Sequence, residues 1–164
     1  MRQFLTLGLL WFSAIGCGLL AGIYFAFSTF VMAALARIGP AQGIVAMNSI
    51  NVEIVKSLFL PLFLGTTLAS AALAVLAFFR WGEPGAITML TGGLNFVLGM
   101  FGVTMIFNVP LNDALAAVDP ASTEGASIWT RYLKEWTFWN HVRTIASAVS
   151  TAAFVLALAA RIQR

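Results

Sequence analysis

The sequence predicts an all-α integral membrane protein, a single domain of four transmembrane helices with a short interfacial helix ahead of the fourth. Three observations predict it. Hydrophobic residues make up 60% of the 164 positions and charged residues 9%, with a mean hydropathy of +0.93. A water-soluble globule of this size has too little interior to hide that much apolar surface. The apolar residues also fall into four long runs separated by breakers and polar patches, each run as long as the roughly 20 residues that cross a bilayer. These runs and their connections use nearly the whole chain.

The first helix is read over 4–36, since no charge falls between Arg2 and Arg37. Met1-Arg2 and the run from Phe4 to Leu20 resemble the start of a signal peptide, but no Ala-x-Ala site with a polar mature start follows, so an uncleaved span is expected. Gly18 and Gly22 form a GxxxG pair that lets another helix approach closely. After Arg37-Ile38-Gly39-Pro40, the polar patch Met47 to Glu53 leads into the second helix, read over 50–79 with a kink at Pro61. Arg80 to Gly85 is a tight turn, so helices two and three are expected to be antiparallel neighbours.

Helix three is read over 86–107, with Gly92, Gly93, Gly99 and Gly102 as a small-residue surface and Asn95 placing an amide inside the membrane. Asn108-Val109-Pro110 is expected to stop it, and Pro110 to open a short amphipathic helix ending at Asp119-Pro120. Residues 108–136 are thus placed outside the membrane. Within them Trp129, Tyr132, Leu133 and Trp136 recur at i, i+3, i+4 and i+7, the pattern of a helix lying at headgroup depth. The fourth span is read over 137–160, followed by Arg161 and Arg164.

With four spans both termini face one compartment. Lys and Arg number four on that side (Arg2, Arg80, Arg161, Arg164) and five opposite (Arg37, Lys56, Arg131, Lys134, Arg143), so the positive-inside rule does not decide. Only Glu83 opposes the first set, whereas the charges opposite look like members of a folded site. A multi-pass protein of the plasma or inner membrane with cytoplasmic termini is expected.

Composition also excludes functions. The net charge of +3 is spread over isolated residues, so nucleic acid is not an expected partner. Cys17 alone builds no disulfide framework, redox pair or cysteine-rich metal site and reads as a small apolar filler. With one histidine besides, no metal site is assigned, and the sequence neither requires nor identifies a cofactor.

Polar residues collect instead at the end of the bundle opposite the termini. Three clusters stand there: Asn48, Asn51, Glu53 and Lys56; Asn108, Asn112 and Asp113; and Asn140, His141, Arg143 and Thr144. Charges near membrane depth cost on the order of 3 kcal/mol each, which asks for a reason. One reason is a collar of snorkelling, helix-capping side chains. The other is a pocket at the bundle mouth, with His141, the single histidine, acting as a base or ligand. Tyr24, Phe25, Phe27, Trp129, Tyr132, Trp136, Phe138 and Trp139 gather at the same end, either as an interfacial belt or as walls for a flat hydrophobic ligand.

Four strings carry a family resemblance: Gly22-Ile-Tyr-Phe-Ala-Phe-Ser28, Met47-Asn-Ser-Ile-Asn51 with Lys56, Phe107-Asn-Val-Pro-Leu-Asn112, and Trp136-Thr-Phe-Trp-Asn-His-Val-Arg-Thr144. In order and spacing the chain resembles the DUF1772 or anthrone oxygenase-like membrane proteins. The resemblance implies a helical membrane protein and, in some members, oxidation of an anthrone to an anthraquinone. Carried onto this chain, His141 would remove a proton from an anthrone-like or quinol-like substrate, with Asn51, Asn108, Asn112 and Asn140 as donors to the developing oxyanion and Arg143 or Lys56 as counter-charge. Tyr24, Ser28, Asn51, Lys56 and Trp139 would contact the substrate. Two other classes stay open: a non-catalytic protein that binds or transports a lipid, quinone or small solute through the polar mouth, and a structural module associating through its glycine faces. Pro61 and Pro110 are not clearly equivalent, which disfavours an inverted-repeat transporter. Membrane lipid and a hydrophobic aromatic molecule are the expected partners, and homo-oligomerisation is left open.

Overall fold

A computed structural model describes residues 2–162; Met1, Gln163 and Arg164 lie outside the described residues. Among the described residues all regular structure is helical. We number five helices. Helix α1 covers 2–37 with a widened, π-helical stretch at Phe27–Val31, α2 is Pro40–Lys56, and α3 is Phe59–Phe79. Helix α4, Ala86–Ala116, carries two widened stretches at Val97–Gly102 and Thr104–Asn108, and α5 is Thr123–Ile162.

Four of these, α1, α3, α4 and α5, are long and apolar enough to cross a membrane. Around the bundle α1 packs on α3, α3 on α4, α4 on α5, and α5 back on α1. The outside is oily: Leu68 is 70% exposed and Phe79 77%. Such a surface is stable against lipid tails and not against water. This is the four-helix membrane bundle that the composition predicts.

Two apolar cores fill it. One runs along the bundle through Leu10, Cys17, Leu20, Leu73, Met89, Phe96 and Phe154. The other sits at the α2 end, where Met32, Ile44, Met47 and Leu115 pack around Trp129, Tyr132 and Trp136. Close approach of α4 to α3 depends on Gly93, where an added Cβ would lie 2.5 Å from the Ser70 carbonyl oxygen. Gly92, Gly93 and Gly99 of the glycine surface expected on helix three therefore serve packing inside the chain, whereas a Cβ added at Gly22 of the first-helix GxxxG pair would meet nothing within 4 Å.

Three boundaries differ from the sequence reading, each for a physical reason. The second helix is not one kinked rod over 50–79. Helix α2 closes at Lys56, Ser57 is extended (ψ 179°), and α3 starts at Phe59. Ser57 Oγ caps both sides, donating to the Ile54 carbonyl at 2.7 Å and accepting from the Phe59 N–H at 3.1 Å. Pro61 then falls in the first turn of α3, where its missing N–H costs nothing. Helix α4 does not stop at Asn108. It runs through Pro110, because the widened turns open the helix on the side where the proline ring would meet the carbonyl four residues back. Finally, the stretch before the fourth span is continuous with it, forming a 40-residue α5. Its aromatic face does not lie on lipid: Trp129, Tyr132 and Trp136 are buried against α1, α2 and α4.

Helix α2 consequently lies across the open end of the other four. It is joined to α1 through Gly39, whose φ of +88° suits glycine, and to α3 through Ser57-Leu58. The space it covers is the candidate site.

Candidate active site

The site is assembled on one stripe of α5. Tyr132, Trp136, Asn140 and Arg143 follow at intervals of four, four and three residues, so all face the same way. Asn140 is fully buried and ties α5 to α1. Its Nδ2 donates to the Tyr24 carbonyl at 2.7 Å and to Ser28 Oγ at 2.7 Å, both where α1 enters its widened turn. Ser28 Oγ lies 3.1 Å from Thr144 Oγ1, closing a small polar ring between the helices.

The other oxygen of Asn140 holds Arg143. Its Oδ1 accepts from Arg143 Nη2 at 2.7 Å, and Thr104 Oγ1, in the second widened stretch of α4, accepts from Nη1 at 3.5 Å. The guanidinium carbon lies 4.5 Å from the Tyr24 ring centre and 5.0 Å from that of Trp136. Cation–π contacts in so dry a place contribute on the order of 2 kcal/mol. Arg143 is 5% exposed, and among the described residues no carboxylate pairs with it. The arrangement keeps a cation in the bundle with neutral acceptors and aromatic faces only.

Beside Arg143 opens a cavity of about 210 Å³. Its walls are mainly apolar and aromatic, with Phe27, Ile50, Ile54, Phe59, Phe63 and Trp136 among them, and Tyr24, Asn51, Thr104, Asn112 and Arg143 carry the polar groups. Phe59 and Phe63 stack at 5.7 Å. Val55, Leu60 and Met105 both wall the cavity and are exposed on the bundle's side, so its mouth is apolar. Two wall residues carry an N–H that finds no acceptor, Trp136 Nε1 and Arg143 Nε, while the Asn51 amide is turned toward the Tyr132 hydroxyl. Both nitrogens are covered by neighbouring atoms, and their side chains line the cavity. Unpaired buried donors are unusual and mark a place where a partner is expected.

Not every expected residue meets here. Tyr24, Asn51, Asn112 and Arg143 wall the cavity; Asn140 and Ser28 stand behind it and hold Arg143 and α1 in place. Asn112 accepts from the Tyr132 hydroxyl at 2.7 Å, which fixes its amide. Asn108 is buried but is not part of the wall; its Nδ2 donates to the Trp136 carbonyl at 3.2 Å and joins α4 to α5. His141, Trp139 and Lys56 are elsewhere. His141 is exposed, one residue round the helix from Asn140, and lies with Lys134, Phe138 and Trp139 along an outer groove. Trp139 stacks on Phe107 at 3.6 Å. Lys56 is exposed and paired with Glu53 at 3.0 Å. The single pocket expected to join His141, the carboxamides and Lys56 is therefore two separate features.

Thr104, Phe59 and Phe63 are site residues that sequence reasoning passed over, whereas Trp136 was among the aromatics expected as walls. For Trp136 a signal existed in its spacing of four from Asn140 and seven from Arg143. For Thr104 there was none, since its place depends on the widened turns of α4. Among the described residues no three of His, Cys, Asp and Glu come together; the other donors at the cavity are hydroxyls, amides and the thioethers of Met47 and Met105.

No curated protein and no solved structure matches the chain. The family model described as anthrone oxygenase matches residues 54–153. That segment spans 100 of 164 residues and holds Phe59, Phe63, Thr104, Asn112, Trp136, Asn140 and Arg143, the α3, α4 and α5 parts of the site. On a match over more than half its length, this chain, with its buried arginine and aromatic cavity, belongs to the anthrone oxygenase family.

Proposed function

We propose that the protein is a membrane-embedded oxygenase that converts the CH₂ group of a small planar, anthrone-like aromatic to a carbonyl inside the cavity beside Arg143. The observation that carries this reading is an apolar, aromatic-walled space lined by a buried arginine without a counter-ion and by Trp136, each with an N–H that has no acceptor. Apolar walls take up the rings, and the donors suit an oxygen on which negative charge develops. At about 210 Å³ the cavity lies below the roughly 300 Å³ at which drug-sized sites begin, so it suits a compact ring system or the end of a longer one.

The CH₂ carbon gives up one proton to water, and the remaining electron pair spreads into the ring carbonyl as an enolate. Arg143 and the neighbouring N–H groups hold that ionised oxygen in the cavity. Dioxygen takes one electron from the enolate, and the two radicals join in a carbon–oxygen bond. The peroxide formed takes up a proton. Loss of the second CH₂ proton, with cleavage of the O–O bond, expels hydroxide and leaves the carbonyl. The sum is CH₂ plus O₂ giving C=O plus H₂O. His141, on the outer groove, has no part in this scheme, and Asn140 acts by positioning Arg143.

The test is dioxygen uptake by the protein in lipid nanodiscs supplied with an anthrone, with quinone formation followed by absorbance. One O₂ should disappear per quinone formed, and Arg143→Gln should lower kcat/KM by about a hundredfold or more, the usual effect of removing an oxyanion donor. Uptake no faster than in empty nanodiscs would refute the reading.

A further inference from the structure

We propose that the cavity takes its ligand as a preformed anion: a planar aromatic acid, such as a phenol, enol or carboxylic acid, that has lost its proton before it is bound. The proposal rests on the oxygenase reading only for where the ligand sits.

Among the described residues two arginine side chains are buried, and they are treated differently. Arg161 is 8% exposed and is given a carboxylate, Glu83, at 3.2 Å. Arg143, more deeply buried, has none. Nor is an acidic residue within reach to supply one. Glu53 pairs with Lys56, Glu83 with Arg161, and Glu135 with Arg131, while Asp119 caps a loop and Asp113 and Glu124 are exposed. None of the six lines the cavity. A buried cation held only by an amide oxygen, a distant hydroxyl and two ring faces is costly to keep. The missing charge fits on the ligand.

The walls settle which kind of anion. Tyr24 and Trp136 flank the guanidinium, and Phe59 and Phe63 continue the aromatic surface. A flat acid would lay its rings there while its oxygens face a planar donor, the geometry in which arginine binds oxyanions best. The same walls contain no carboxylate and no imidazole. A ligand that arrives ionised needs no base inside.

The experiment is a fluorescence titration of the full chain in phosphatidylcholine nanodiscs with two probes of like shape, anthracene carboxylate and anthracene methanol. The wild-type protein should bind the carboxylate about 10- to 100-fold more tightly, the effect of one charge-assisted hydrogen-bonded contact. Arg143→Met should lose that preference and keep its affinity for the alcohol, which also shows that it folds. Should Arg143→Met not fold, Arg143→Lys keeps the charge without the fork and should show a reduced preference. Equal affinity for the two probes in the wild type, or an undiminished preference in the variants, overturns the proposal. Full displacement of the carboxylate by phosphatidylglycerol would assign the charge to a lipid headgroup and overturn it as well. Dioxygen uptake without an anion preference sinks this inference and spares the oxygenase reading; anion preference without uptake does the reverse.

Discussion

Asn140→Asp is the most informative single change, because it supplies Arg143 with the counter-ion it lacks. In the native protein Asn140 makes one acceptor contact, to Arg143 Nη2 at 2.7 Å, and two donor contacts, to Tyr24 and Ser28 at 2.7 Å each. A carboxylate keeps the first and turns it into an ion pair. It loses the donor to Tyr24 and sets a negative oxygen against that carbonyl, whereas Ser28 can rotate its hydroxyl to donate. The lost hydrogen bond costs about 1 kcal/mol and the new charge-assisted one returns a similar amount, so folding should survive with a modest shift in thermal midpoint. Ligand binding should not. A bound anion must now compete with an internal carboxylate for Arg143, forfeiting about 1.5–3 kcal/mol, or roughly 10- to 100-fold in affinity. The assays are anthracene carboxylate binding and anthrone-dependent dioxygen uptake, with the unfolding midpoint as the folding check. A folded Asn140→Asp protein that binds the anion as tightly as the wild type would refute the claim that Arg143 is the anion's partner.

Other consequences are simpler to read. His141→Ala should retain turnover within about twofold, since His141 lies on the outer groove; a loss of a hundredfold would return it to the reaction. Gly43→Ala should lower the unfolding free energy by about 1–3 kcal/mol, because the new Cβ would stand 2.6 Å from Trp129 Cζ2 and must push α2 off the ring beneath it; an unchanged midpoint would show that α2 is not seated there. Met105→Trp, at the apolar mouth of the cavity, should raise KM for an anthrone several-fold while leaving the thermal midpoint in place. An unchanged KM would mean the ligand arrives by another path.

The apolar helices were legible because span length and hydropathy are properties of composition, which a lipid solvent leaves almost no freedom to reinterpret. The face bearing Asn140, Arg143 and Thr144 was legible too, from helical spacing alone. The Ser57-Leu58 break was not, since neither residue is a strong breaker and the nearby Pro61 drew the kink to itself. The widened turns in α1 and α4 leave no mark in the sequence, yet they set Ser28 and Thr104 where Asn140 and Arg143 need acceptors. Periodicity marked the Trp129, Tyr132 and Trp136 face as apolar without saying what covers it. Lipid and α2 would demand the same pattern. His141 entered the expected site as the single histidine among these polar residues and a candidate base, but its turn of about 100° from Asn140 carries it to the outside.

The central claim is that ligand binds beside Arg143 and not along the groove of His141. A density map of the protein with anthracene carboxylate bound tests it most directly. The account predicts the carboxylate within hydrogen-bond distance of Arg143, its rings between Tyr24, Trp136 and Phe63. Density for the probe against Trp139 and His141, with the Arg143 cavity empty, would contradict it.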